Sequence, residues 1–289
     1  MKSFIIRTLT FVLTIVTTIA VGTGIFAEAL TVRNADDPRP TPIDRSDEDL
    51  LDSFPAQKPF ARSGFSGARG ATPEQIERAK YKVKEPTATQ IERTAELHAE
   101  IEAQLNSIAS GSGVGALAEA SWIELSPFAY YPQQKNYTCG PASIRMALKW
   151  INGTTPSEAT VEDGCYTDPS DGTYVVNMVD YINDMQDTNP YVGVYGASKS
   201  NMKRDLYECI TDYECPPIVG LKECIGTGWP YILPGHFVTI YSVLSDKSYF
   251  ELCDPWAGYA GDSVYRWYEK SANDLYSAYD DADNIGYMW

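Results

Sequence analysis

An α+β domain preceded by a helical arm is the architecture the sequence predicts, and three observations lead to it. In residues 122–289 a helical stretch at 140–151 comes first, while the apolar runs "YVGVYG", "PPIVGL", "HFVTIYSV" and "YFELC" follow beyond residue 190 and read as strands. Helix first and sheet later is the α+β order. Upstream, Ile91, His98 and Leu105 recur every seven residues with Ile101 and Ile108 between them, the narrow stripe of a lone helix at about 88–109. All six cysteines lie beyond residue 135, so the two parts also differ in composition.

Taken in order, residues 1–29 read as a secretory signal: Lys2 and Arg7, an apolar run, then Ala27-Glu28-Ala29 as a small-x-small cleavage site. The apolar run is also long enough for an uncleaved anchor. The protein is therefore expected to be secreted or extracellular, or held at a membrane by this segment alone. Residues 30–71, rich in Pro, Asp, Arg, Ser and Gly, read as a disordered linker. Residues 72–121 form a helical pro-segment or spacer, in which "QIER" occurs twice at a fifteen-residue offset with Pro86 between the copies. "SGSGVGA" at 110–116 then reads as a hinge, and residues 122–289 are long enough for one core.

Charge narrows the function classes. Residues 122–289 carry 23 acidic and 10 basic side chains, a net −13, within a chain of −16. Such a surface repels nucleic acid and anionic lipid and favours soluble or cationic partners. Residues 58–84 are opposite in sign, with seven basic and two acidic side chains, which suits docking of the arm over the acidic domain as well as a solvated spacer. Export allows disulfides. Cys209, Cys215 and Cys224 are the expected source of one local bridge.

The chemistry begins at "NYTCGPASIRMALKWI". Cys139 stands at the start of a helix with Pro141 in its first turn, where a missing N–H costs nothing. The helix dipole and the unpaired first-turn N–H groups stabilise thiolate over thiol. A disulfide or buried structural cysteine fits this placement almost as well. A thiolate nucleophile needs a partner to protonate the leaving group, usually histidine. The chain has two histidines. His98 belongs to the arm's apolar stripe and reads as a seam residue; His236 opens the strand "HFVTIYSV". Counting equal arms from a turn through Leu244-Ser245-Asp246 sets Asp254 opposite His236, within a residue or two. Directly opposed residues lie roughly 4.5–5.5 Å apart, so the hairpin delivers a carboxylate to the imidazole. The following Pro255 equally suits a strand-ending turn at Asp254. Oxyanion donors are the Cys139 N–H and the side-chain amide of Gln133 or Gln134.

Together, Gln133, "CGPAS" at 139–143, "PGHFVTIYSV" and "YFELCDPW" resemble the papain-like cysteine peptidases, above all the bacteriocin-leader-processing (double-glycine) branch and its secreted relatives. The resemblance covers about residues 122–270. It implies a papain-like fold and peptide-bond hydrolysis with Cys139 as nucleophile, His236 as general base, Asp254 as orienting residue and Gln133 or Gln134 at the oxyanion. The chain departs from the branch in having no Gly-Gly dipeptide and no transporter segments. Peptides or proteins are the expected substrates of a monomer that needs no cofactor and no metal. Other classes are a cell-wall peptide hydrolase, a transglutaminase-like acyltransferase and a catalytically silent binding module.

Overall fold

The structure, a computed structural model, describes residues 29–34, 68, 70–74, 76, 120–223, 229–231, 233–261, 265–279 and 285–289. The arm helix at 88–109, His98, Cys224 and the hinge at 110–116 lie outside the described residues. So does the predicted signal, apart from Ala29.

Strand β1 (Ala29–Asn34) pairs antiparallel with β2 (Ser121–Ser126), Val32 facing Ile123. This corrects the expectation of disorder from residue 30. Leu30 and Val32 pack on the core. Arg33 Nε sits 3.0 Å from Glu124 Oε2, and its Nη2 sits 3.0 Å from Glu251 Oε2. The short apolar stretch Leu30-Thr31-Val32 was lost in the average composition of a longer polar segment.

Helix α1 (Cys139–Asn152) buries Ile144, Ala147 and Leu148, one turn apart on one face, and ends at Gly153, whose φ of 69° supplies the left-handed cap. Helix α2 (Glu158–Gly164) starts at Ser157, whose hydroxyl accepts from the Thr160 N–H. Helix α3 (Val175–Met185) follows, then the two-residue β3 (Gly193–Val194), shorter than the "YVGVYG" run suggested. Helix α4 (Lys199–Thr211) and β4 (Ile218–Glu223) lead into β5 (Pro234–Leu244) and β6 (Tyr249–Cys253). The chain closes with α5 (Pro255–Tyr259), β7 (Trp267–Ser271), α6 (Ala272–Tyr279) and β8 (Tyr287–Met288).

All eight strands join one sheet in which the paired strands run antiparallel. β5 is its hub, pairing with β2, β4 and β6. α1 packs on β5 and belongs to both buried clusters, through Met146 on one side and Ile144 and Leu148 on the other. That packing sets the start of α1 against the start of β5. Further out, Pro73, Glu74 and Ile76 are helical and the Ile76 N–H donates to Thr72 O, consistent with a helix opening at Pro73.

Among the described residues no cysteine is bridged: Cys139, Cys165, Cys209, Cys215 and Cys253 carry no disulfide and are buried. Of the cluster Cys209, Cys215 and Cys224, expected to supply one local bridge, Cys209 and Cys215 are thus unbridged, and Cys224 lies outside the described residues.

Candidate active site

Cys139 is the first residue of α1. Thr138 holds the N-cap position, yet its side chain makes no cap hydrogen bond. The Thr138 hydroxyl is drawn instead to Glu158 Oε1, at 2.6 Å. The first-turn N–H groups of α1 therefore remain without a side-chain cap beside the Cys139 sulfur. That leaves the positive end of the helix dipole available to an anion there.

His236 lies on β5, across from Leu221 of β4. Its Nε2 is 2.7 Å from Asp254 Oδ1, with both residues buried. The register differs from the equal-arm count. Thr239 faces Cys253 and Ile240 faces Leu252, but the next pair is Ser242 with Glu251, so Tyr241 is an extra residue on β5. Carrying the first pairs on by one sets Asp254 across from Val238, two residues from His236. Residues two apart share a face of a strand, and a diagonal gap is within reach of an imidazole. The contact survives the shift for that reason.

Asp254 makes several bonds besides the one to His236. Its Oδ1 also accepts from the Trp256 N–H at 2.9 Å, and its Oδ2 accepts from the Tyr268 hydroxyl at 2.7 Å. Its own N–H donates to Arg266 O, and its carbonyl accepts from the Tyr130 hydroxyl at 3.2 Å. Asp254 therefore both caps α5 and holds the imidazole. Asp followed by Pro is the ordinary start of a helix, so the capping role was visible in the sequence. Tyr268 and Tyr130 carried no local signal.

Burial by itself would lower the pKa of His236. The Asp254 carboxylate and its hydrogen bond outweigh that effect, aided by the Cys139 sulfur, and raise it from 6.5 to about 10. Imidazolium is the resting form at neutral pH. Nε2 is taken by Asp254, so Nδ1 is the nitrogen left for the sulfur; it makes no hydrogen bond within ordinary geometry. Behind the pair, Cys253 Sγ contacts Met146 Sδ at 3.2 Å, joining the strand that ends at Asp254 to the helix that begins at Cys139.

Of the two candidate glutamines, Gln133 is fully buried and Gln134 only partly. The Gln133 N–H donates to Pro255 O at 3.1 Å, tying the loop before α1 to the residue after Asp254. Its Nε2 donates to Lys135 O at 2.7 Å, within its own loop, and its Oε1 is buried without a partner. The Gln134 N–H is taken by Glu158 Oε1 at 2.8 Å.

Glu158 was not foreseen. One oxygen takes Thr138 and Gln134, and Oε2 is buried with no partner. Burial pushes its pKa up from 4.5 to about 7, against the opposing pull of the Thr138 and Gln134 hydrogen bonds and of Arg145. Among the described residues no cluster of His, Cys, Asp or Glu is suited to a metal. No described helix is long and apolar enough to cross a membrane.

The class of protein is a cysteine-type peptidase with an α+β, papain-like fold. Residues 125–286, more than half of the chain, match the Peptidase_C39 like family, and the chain belongs to that family. Among solved structures it is similar to the peptidase domain of Streptococcus ComA, a bi-functional ABC transporter involved in a quorum-sensing pathway. That likeness has 17% identity and a TM-score of 0.38, and spans 55% of this chain and 94% of that one. No curated protein matches the sequence.

Proposed function

We propose that this protein is an exported peptidase that cuts peptide bonds through Cys139, His236 and Asp254. The observation that carries the reading is the buried 2.7 Å contact between His236 and Asp254, with the other imidazole nitrogen turned toward the Cys139 sulfur. Export rests on the character of residues 1–29.

The Cys139 thiolate attacks the scissile carbonyl carbon, and the oxyanion that forms is met by the Cys139 N–H at the uncapped start of α1. Gln133 is the better placed glutamine to add a second donor, because it is buried and bonded to the turn after Asp254. Its amide leaves Lys135 O to do so. The His236 imidazolium gives its proton to the leaving amine, the C–N bond breaks and a thioester remains on Cys139. Neutral His236 then takes a proton from water, the hydroxide displaces the sulfur, and the acid product leaves with thiolate and imidazolium restored. Asp254 keeps the ring oriented throughout.

A peptide library incubated with the wild type and with Cys139→Ala, followed by mass spectrometry, tests this directly. Cleavage products are expected from the wild type alone. Identical digests from both would end the peptidase reading.

A further inference from the structure

The side chains of Cys139 and His236 have no exposed surface. A nucleophile that must meet a peptide is thus covered, and the covering chain is identifiable. Ala68, far upstream in sequence, donates its N–H to Gly235 O at 3.1 Å, the carbonyl of the residue before His236. It also forms a parallel β-bridge with Thr173. The Thr173 side chain in turn lies over Gly140, the residue after Cys139, where an added Cβ would stand 2.9 Å from Thr173 Oγ1. Ala68 therefore touches the immediate neighbourhood of both reacting side chains.

The fit is close. Gly235 has a φ of +75°, and any Cβ there would collide with the Ala68 carbonyl oxygen. A side chain at this position would be strained by its backbone angle and would also expel the visiting segment. Ala68 shares one buried cluster with Cys139, Val175 and Phe237. Ala71 is also buried, at 6% exposure, and the chain is exposed from Thr72 through Pro73 and Glu74. Charge favours the docking, since residues 58–84 carry seven basic and two acidic side chains against a domain of −13.

We propose that the stretch through Ala68 occupies the substrate cleft as a built-in stand-in for a peptide, and that Gly235 O and the Thr173 edge grip an extended substrate backbone in the same way. This rests on the reading of Cys139 and His236 given above. A chain segment gripped through its main-chain groups along a strand-like edge is the ordinary mode of extended-peptide capture. The enzyme as folded then works at a low basal rate, because a substrate binds only while the segment is displaced.

Full-length Ala68→Pro, which lacks the donated N–H, and Ala68→Trp, too large for the buried site, test the idea. Two rates are measured: alkylation of Cys139 by iodoacetamide at pH 6, located by peptide mapping, and hydrolysis of a peptide found with the library. Both variants should raise both rates at least tenfold, with far-UV circular dichroism unchanged. Variants that react like the wild type on both measures overturn the proposal, and leave the peptidase reading intact if hydrolysis is seen. Faster alkylation with no hydrolysis by any form upholds the covering segment and defeats the peptidase reading instead.

Discussion

Two buried carboxylates bond to neighbours of Cys139, Asp254 to His236 and Glu158 to Thr138, and they are provided for in opposite ways. Asp254 spreads its bonds over both oxygens: the imidazole and the Trp256 N–H on one, the Tyr268 hydroxyl on the other. Glu158 crowds both of its donors onto one oxygen and leaves the other buried without any. Asp254 faces an ionisable ring and holds it charged up to about pH 10, whereas Glu158 has neutral donors and is itself pushed up to about 7. A buried acid with a cationic partner fixes a proton on that partner, while one with only neutral donors becomes the group that titrates. The first serves the imidazole; the second secures the loop that carries Gln133, Gln134 and Thr138.

The largest break in this comparison is Asp254→Asn. The neutral amide no longer offsets the burial of His236, so the imidazolium should be lost at a much lower pH. At pH 8, kcat/KM should fall by about a hundredfold to a thousandfold, the lower part of the range usual for general acid–base groups. A profile from pH 5 to 10.5 should move its alkaline limb down from near 10. A limb that stays in place would show that Asp254 does not set the charge of the ring. The sign for stability agrees: a histidine raised from 6.5 to about 10 adds stability fully below about pH 6.5, and this is lost as pH rises through about 10.

Next in size is Glu158→Gln, which keeps an acceptor for Thr138 and Gln134 but cannot ionise. In the wild type the raised pKa makes ionisation costly in the folded state. Its contribution is therefore present below about pH 4.5 and lost as pH rises through about 7, a change of up to about 3 kcal/mol. Thermal melts at pH 5 and pH 8 should show a smaller drop in Tm for the variant. The groups facing this carboxyl are Thr138, Gln134, Arg145 and Glu162, so a parallel drop in both proteins would assign the effect elsewhere. Activity at neutral pH should change only a few-fold.

The smallest effect is expected from Tyr268→Phe, which removes one neutral donor from Asp254 Oδ2. A single such bond is worth about 1 kcal/mol, or roughly fivefold in kcat/KM. A loss as large as that of Asp254→Asn would make the tyrosine more than a support.

Much of the site was legible because it rests on local rules. Cys139 before Gly-Pro marks a helix start, and α1 begins there. With two histidines in the chain, the choice of His236 was close to forced. Asp254 came from counting a hairpin, and although Tyr241 bulges out of β5, the parity of the strand kept it on the right face. What escaped notice lacks local pattern. Tyr268 reaches Asp254 from β7, Glu158 reaches Thr138 from across twenty residues, and β1 joins β2 over more than ninety. The linker expectation failed because a mean over forty residues hides a six-residue strand.

The sequence by itself determined the kinds of group present and their local attitudes: a thiol at a helix start, an imidazole at a strand start and a carboxylate one hairpin away. These follow from backbone periodicity and helix-end chemistry, which act over a few residues. Only the tertiary structure decided which buried acid titrates near pH 7, which hydroxyls steady the other, and that Ala68 sits against Gly235 and Thr173. Burial and charge coupling depend on distances between remote segments, and chain packing alone sets those distances.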